Sequence, residues 1–396
     1  MGILDALRRV MPGARKLSAG RALQEETDMS TLAVLMSVEG ASKSMQGESV
    51  SDPAGPDSNN TTPQTSGLGT THESAASDED VFNDNVERVL EMGIAAHRNI
   101  VANQVEQQLD DMFSALERAA AAAATPSELY NFASETETNG VDGATTFDQV
   151  SSDPSVQISP VEKHLQMVES KLLESYGALP RIGPSSIQHP AAGDGVFLSG
   201  KAPSGRVVAL YPGSVYLPFQ VKRITDSYFR ESAAEYSDAQ QRFEDLFGTP
   251  EDRNVYATQL IDGAVINARN GSVSAKPNLY AVAHKVNHPP PGVEPNVMVC
   301  PFVFRKSHAD QIERTGRDFR DYIPNAYFED AAVAPSWWMI LAGDNDVLMR
   351  SLAYVTTRPI EENEELFVNY RFDPNHQALP DWYTPVDLEE DTNRWS

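Results

Sequence analysis

From residue 177 onward the sequence consists of short β-rich runs, and this limits the fold more than any other feature. Gly195–Leu198, Val207–Tyr211, Val215–Leu217, Tyr256–Ile261, Ala264–Asn267, Asn296–Phe304, Met349–Tyr354 and Glu365–Tyr370 are separated by turns of Gly, Pro and Asn. Runs this brief, bounded by turn-forming residues, do not extend into one wide sheet. They predict a mainly β unit of short sheets over 177–374. Two stretches interrupt it. Residues 228–247 carry Phe229, Tyr236, Phe243, Leu246 and Phe247 in a helical pattern, and 305–320 reads as a highly charged loop or helix.

Upstream the periodicity changes. Phe82, Val86, Val89, Leu90, Ile94, Ile100, Val101, Val105, Leu109, Met112, Phe113 and Leu116 recur every three or four residues. That spacing predicts one long amphipathic helix, or two joined near Gly93, with the apolar stripe facing the core or a coiled-coil partner. The alanine run 119–124 continues it and Thr125-Pro126 stops it. Ser159-Pro160 then supplies a cap and a first-turn proline for a helix bearing Val161, Leu165, Val168, Leu172 and Tyr176, which Gly177 ends.

The expected organisation has five parts. Residues 1–30 form a basic amphipathic N-terminus, 31–77 a disordered linker, 78–176 a helical region, 177–374 the β unit, and 375–396 a C-terminal tail. The linker is read from the Ser, Thr, Gly, Pro, Asn and Asp that fill 37–77 and leave little apolar surface to offset ordering entropy. Arg8, Arg9, Arg15, Lys16 and Arg21 interleave with Ile3, Leu4, Leu7, Val10 and Leu17. Organelle-targeting peptides have that pattern, and so do plain basic helices.

Composition removes several function classes. The formal net charge is −26 at pH 7, with the acidic excess heaviest over 24–160. That disfavours a phosphate backbone as partner, so no direct nucleic-acid binding is expected; it is compatible with a basic protein partner and equally with acidity that only keeps the chain soluble. The single cysteine, Cys300, excludes an intramolecular disulfide and a cysteine-rich zinc cluster. The histidines lack paired ligand spacing, so no metal is expected. No apolar stretch approaches the roughly 18 residues of a membrane span, so no membrane partner is expected either.

Four short motifs follow one another within the β unit. They are Gly193-Asp194-Gly195, Tyr211-Pro212-Gly213, Asn287-His288 with Pro295-Asn296, and Glu365-Leu366-Phe367-Val368-Asn369-Tyr370. The phosphate-cradling alternatives for the glycine pair fit worse, since neither GxGxxG nor a following Gly-Lys-Ser/Thr is present. In this order the four motifs resemble the SET domain, the fold of protein-lysine methyltransferases, whose pattern runs GxG, YxG, NHxxxPN and ELxxxY. The resemblance implies a SET-domain β-fold with a knot-like crossing of the chain, and S-adenosyl-L-methionine as cofactor. It implies that Gly193, Gly195, Phe197, Asn287, His288 and Tyr370 surround that cofactor and that Tyr370 is the catalytic residue. It implies a substrate channel walled by Tyr211, Phe367 and Phe372, with the Trp382-Tyr383 pair as further candidates.

Three departures stand out. A proline-rich loop replaces the usual Ser-Cys-x-Pro-Asn, Asn369 stands where the family pattern has Asp, and the zinc-binding cysteines that many members carry are missing. Two functions therefore follow from the resemblance. One is lysine N-methylation of a protein substrate, for which a basic protein such as a histone tail is the natural target. The other is a catalytically inactive SET-fold interaction module. The expected compartment is the nucleus or cytoplasm, or the mitochondrion if the basic N-terminus directs import.

Overall fold

The computed structural model describes residues 19–47, 86–122, 160–230, 236–249, 252–314, 316–328, 346–375 and 379–396. Arg8, Arg9, Arg15 and Lys16, most of the expected linker, the stop at Thr125-Pro126 and the cap at Ser159 lie outside the described residues.

Among the described residues the first element is helix α1 (Ala19–Gly47), followed by a short helical turn at 86–90, a break ending at Gly93, and α2 (Ile94–Ala122). Residues 31–47 are therefore helix and not linker. The physical reason is spacing: Leu32, Ala33 and Met36 recur on one face and are buried. On α2 the buried residues Val101, Val105, Leu109, Met112, Phe113, Leu116 and Ala119 keep a regular three-to-four step, as the apolar pattern predicts. Helix α3 (Pro160–Tyr176) ends at Gly177, whose φ of +89° suits a helix C-terminus and whose N–H bonds the Leu173 carbonyl at 2.9 Å.

Short elements follow. They are β1 (Ala178–Pro184), β2 (Asp194–Gly200), β3 (Val207–Leu210) and β4 (Gly213–Tyr216), then helices α4 (Pro218–Arg230) and α5 (Tyr236–Phe247). Next come β5 (Ala257–Gln259), β6 (Val265–Asn267), β7 (Val297–Arg305), α6 (Lys306–Glu313) and β8 (Asn325–Tyr327). The last are β9 (Val347–Thr356), β10 (Glu365–Leu366) and α7 (Leu388–Trp395). The helical insert thus starts ten residues earlier than its aromatic pattern suggests, because Pro218 opens α4 and Val221 and Ile224 bury its face.

Among the described residues the strands form three small sheets, ordered β1–β2–β10, β3–β9–β7 and β5–β6–β4–β8. All pairs are antiparallel except β4 with β8. Strands dominate only within 177–374. The described residues as a whole hold more helix than strand, so the fold is helices plus small sheets rather than mainly β.

The helices do not form a separate layer. Leu32, Met36, Val105, Phe113 and Leu172 share one core with Val207, Cys300, Phe304, Ala353 and Val355 of the β3–β9–β7 sheet. Phe113 lies against Phe304, Phe319 and Tyr322, with ring centroids 5.8 to 6.1 Å apart. Gln108 completes the joint with polar bonds. Its amide accepts from the Val207 N–H at 2.7 Å and donates to the Gly205 carbonyl at 2.9 Å, so no backbone group is orphaned there. A second core, including Val196, Leu198, Val208, Val215, Ile266, Leu352, Leu366 and Val368, fills the space between the sheets. The C-terminal tail is also part of the structure, since Tyr383 and Asp391 are buried and α7 lies against α1.

Candidate functional site

The pairing of β10 with β2 brings two of the sequence motifs together, placing Glu365 opposite Phe197 and Leu366 opposite Val196. Alternation along β2 sends Val196 and Leu198 into the core and leaves Gly195 and Phe197 on the other face. Gly193 adopts φ +55° and ψ −125°, a backbone that side-chain-bearing residues avoid, with open space where a Cβ would stand. Gly195 is needed for a different reason: a Cβ there would overlap the Glu365 carboxylate.

That carboxylate is buried and held on both oxygens. Ser185 Oγ donates to Oε1 at 2.7 Å, while the Ser186 N–H and hydroxyl donate to Oε2 at 2.7 and 2.5 Å. Asn287 joins the same group. Its Nδ2 donates to the Asp194 carbonyl at 3.0 Å and the Ala192 carbonyl at 3.3 Å, and lies 3.5 Å from Glu365 Oε1. Phe197 lies above β1, where a Cβ at position 183 would meet its ring in ordinary van der Waals contact. Gly193, Gly195, Phe197, Asn287 and Glu365 therefore converge from three distant parts of the chain.

Asn287 also bridges Phe367 in parallel fashion, and the Val368 N–H donates to its carbonyl at 3.0 Å. On the other side, the Asn296 and Val297 N–H groups donate to the Phe367 carbonyl, each at 3.1 Å, and Asn296 Oδ1 accepts from the Phe367 N–H at 2.7 Å. The segment 365–368 thus lies between the two ends of the proline-rich loop. Asn296 performs this through both its backbone N–H and its side chain, despite the altered loop sequence.

His288 is buried with both ring nitrogens engaged. Nδ1 accepts from the Tyr370 N–H at 3.3 Å and Nε2 donates to the Thr384 carbonyl at 2.7 Å. Burial lowers its pKa, which agrees with this neutral tautomer. Tyr383 covers the ring at 4.6 Å, Tyr370 lies 5.5 Å away and Trp382 6.5 Å. In this geometry His288 orients Tyr370 and the tail.

Tyr370 is half-buried as a residue, with its hydroxyl end enclosed. The hydroxyl donates to the Val286 carbonyl at 3.0 Å, and burial pushes its pKa up to about 12. Phe372 stands beside it at 5.5 Å and Trp382 edge-on at 6.2 Å. Burial raises the pKa of Tyr211 well above the usual tyrosine value, and the nearby Tyr370 hydroxyl adds to that rise. The Tyr211 hydroxyl donates to the Tyr256 carbonyl at 2.9 Å.

Phe367 is not brought to this cluster. Alternation puts it on the Glu365 side of the segment, away from Leu366 and Val368 in the core, and it makes no ring contact with Tyr370 or Phe372 among the described residues. Asn369 serves the turn: its Oδ1 accepts from the Arg371 N–H at 3.0 Å, which a carboxylate would do equally.

Several participants carry no sequence signal strong enough to single them out. Tyr256, His284 and Tyr354 complete the surroundings of Tyr211, with centroids 5.9 Å apart for Tyr256–His284 and 6.4 Å apart for both Tyr211–His284 and Tyr211–Tyr354. Burial, helped by the neighbouring Lys285, lowers the His284 pKa to about 3, and its Nδ1 has no hydrogen-bond partner among the described residues. Ser185 and Ser186 lie in a polar loop with no motif at all. Among the described residues no group of His, Cys, Asp and Glu is arranged to hold a metal, and no helix is long and apolar enough to cross a membrane.

No family model matches the chain, and no curated protein matches its sequence. Among solved structures, one described as CpSET8 from Cryptosporidium is similar over 65% of this chain and 95% of its own, with 11% identity and a TM-score of 0.24. A likeness at that level carries no argument about the chemistry of this chain, and none of the site geometry rests on it.

Proposed function

We propose that the chain is a SET-domain protein-lysine N-methyltransferase that uses S-adenosyl-L-methionine. One observation carries the reading: GxG, Asn-His and the Glu365–Tyr370 segment, spread over the β unit, meet at a single place with Tyr370 at its aromatic end. The knot-like crossing expected of the family belongs to the same proposal, with segment 365–368 as the inserted chain.

The residues fit such a cofactor. The buried Glu365 carboxylate complements a cationic sulfonium, and Phe197 offers an apolar face beside it. The space beside Gly193 admits a ligand close to the backbone. Asn287 spends its amide N–H bonds on backbone carbonyls, and its Oδ1 accepts nothing from the described residues, so it can receive a bond from the ligand. When bound, the cofactor supplies an electrophilic methyl group that leaves with its bonding pair on sulfur.

Tyr370, Tyr211 and Phe372 act on the incoming amine. A lysine has a pKa of about 10.4 in water, and an enclosed aromatic channel would disfavour its ammonium, so that the proton is lost to solvent and the free amine remains in the channel. Tyr370, protonated at any physiological pH, would offer its oxygen to the methyl group and the amine and so help to align them. The target is a protein lysine, and the acidity of the chain suits a basic partner such as a histone tail. Nuclear or cytoplasmic residence accords with such a target, and mitochondrial import through the basic N-terminus is the alternative.

A second reading, a SET-fold interaction module without turnover, is favoured by the internal bond from the Tyr370 hydroxyl to Val286. One experiment separates them. S-adenosylmethionine and its demethylated product are titrated calorimetrically into the full chain and into Asn287→Ala, and labelled methyl transfer to lysine-rich peptides is followed with Tyr370→Phe as control. Micromolar binding lost in Asn287→Ala, with transfer lost in Tyr370→Phe, is the expected result. Folded protein that binds neither compound overturns the methyltransferase and leaves the module.

A further inference from the structure

The backbone that follows Tyr370 is held from outside the β unit. Arg371 has φ +52°, a left-handed conformation that residues with a Cβ occupy at a cost. Its guanidinium makes a bidentate pair with Asp28 of α1, Nη1 to Oδ2 at 2.5 Å and Nη2 to Oδ1 at 3.0 Å, and Nη2 also reaches Glu390 of α7 at 3.0 Å. Both members of the Asp28 pair are well covered, with side-chain exposures of 16% and 21%. The Arg371 carbonyl accepts from Trp395 Nε1 at 2.9 Å. One residue on, the Phe372 N–H donates to the Tyr383 hydroxyl at 3.0 Å.

The two helices that grip Arg371 are also joined to each other. Arg394 donates to Gln24 at 2.6 Å and Glu25 at 3.1 Å, and Gln24 donates to Glu390. At their crossing the backbones approach so closely that a Cβ on Gly20 would overlap the Asn393 carbonyl.

We propose that Asp28 and Arg371 are positioning residues for Tyr370: α1 and α7 together clamp the strained residue next to it and thereby fix where its hydroxyl points. A bidentate guanidinium–carboxylate pair fixes orientation as well as distance, which a single hydrogen bond does not. Because φ of Arg371 is the adjoining soft torsion, release of the clamp lets the chain relax toward negative φ. The Tyr370 ring then swings relative to His288 and Val286. What Tyr370 does at that position rests on the methyltransferase reading; that it is held there does not.

The test uses the full chain labelled with 3-fluorotyrosine, the Tyr370 signal being assigned by its loss in Tyr370→Phe. Tyr228, stacked 4.0 Å from Phe243 in the α4–α5 insert, is the internal control. Asp28→Asn removes the pair, and Gly20→Val wedges α1 from α7 without touching a charge. Arg371→Ala removes the guanidinium but keeps the Cβ that makes φ +52° costly, so the drive to relax remains. In each the Tyr370 signal is expected to shift or broaden while that of Tyr228 stays, and Asp28→Glu is expected to move it back toward wild type. An unchanged Tyr370 signal in whichever of Asp28→Asn, Gly20→Val and Arg371→Ala folds overturns the clamp. Methyl transfer is measured on the same samples, with kcat falling on the order of 10- to 100-fold at unchanged cofactor KM. A chain that transfers no methyl group at all fails the functional reading alone, since the fluorine signal still decides the clamp.

Discussion

At the scale of single residues, small changes at the site have separable effects. Gly195→Ala places a methyl group against the Glu365 carboxylate, which Ser185 and Ser186 prevent from moving away. Overpacking of this kind costs about 1–3 kcal/mol. Denaturant unfolding is expected to show that loss, and calorimetry the loss of cofactor binding, whereas wild-type behaviour in both would mean that the β2 edge is plastic. His284 gives a pH signature. Its folded pKa of about 3 lies below the ordinary value near 6.5, so its contribution to stability is whole above pH ~6.5 and is lost as pH falls toward 3. His284→Phe removes both the titration and an unpartnered nitrogen. Its melting temperature is expected to fall less than that of wild type between pH 6.5 and 4.5, and parallel curves would refute the assignment.

At the scale of elements, α7 carries a titration of opposite sign. Asp391 is fully buried, and its Oδ2 accepts from the Tyr383 hydroxyl at 3.2 Å while Oδ1 has no partner among the described residues. Burial, with Glu390 adding to it against Arg371 and Arg394, raises its pKa to about 6. The stabilisation is therefore complete below pH ~4 and disappears as pH rises through 6. Asp391→Asn lacks this term. Its melting temperature relative to wild type is expected to rise between pH 4.5 and 7.5, and a constant difference would place the titration elsewhere. Elements also show what could be read without a structure. The periodicity of α2, the stop at Gly177 and the four motif positions are local properties, and each was legible. The helicity of 31–47 was not, because the Leu32, Ala33 and Met36 stripe is short and borders a polar stretch. The Glu365 cradle and the packing of Tyr256, His284 and Tyr354 were also hidden, since they depend on partners far away in sequence.

At the scale of the whole molecule, the helices and the sheets share one core, so the β unit is not independent of what precedes it. Leu32 and Met36 of α1 lie in the same apolar cluster as Cys300 of β7. The Cys300 thiol is fully buried and its pKa is pushed up to about 12, so in the intact chain it reacts with disulfide reagents only on opening. Removing residues 1–47 strips that cluster and the Asp28 contact together. Thiol labelling under native conditions is expected to accelerate at least tenfold, equivalent to about 1.4 kcal/mol or more of lost protection. Unchanged protection would show that α1 is dispensable to the core.

The position of segment 365–368 has a consequence for biosynthesis. Each of its partners, Ser185, Ser186, Phe197, Asn287 and Asn296, precedes it in the chain. A nascent polypeptide therefore has the β2 edge and the loop after Asn287 in place before the strand that closes them exists. Until that strand arrives the edge is an open template for other chains, and its closure spans nearly two hundred residues of sequence. Pulsed hydrogen exchange during refolding should find the Phe367 and Val368 amides among the last to gain protection, after those of β7 and β9.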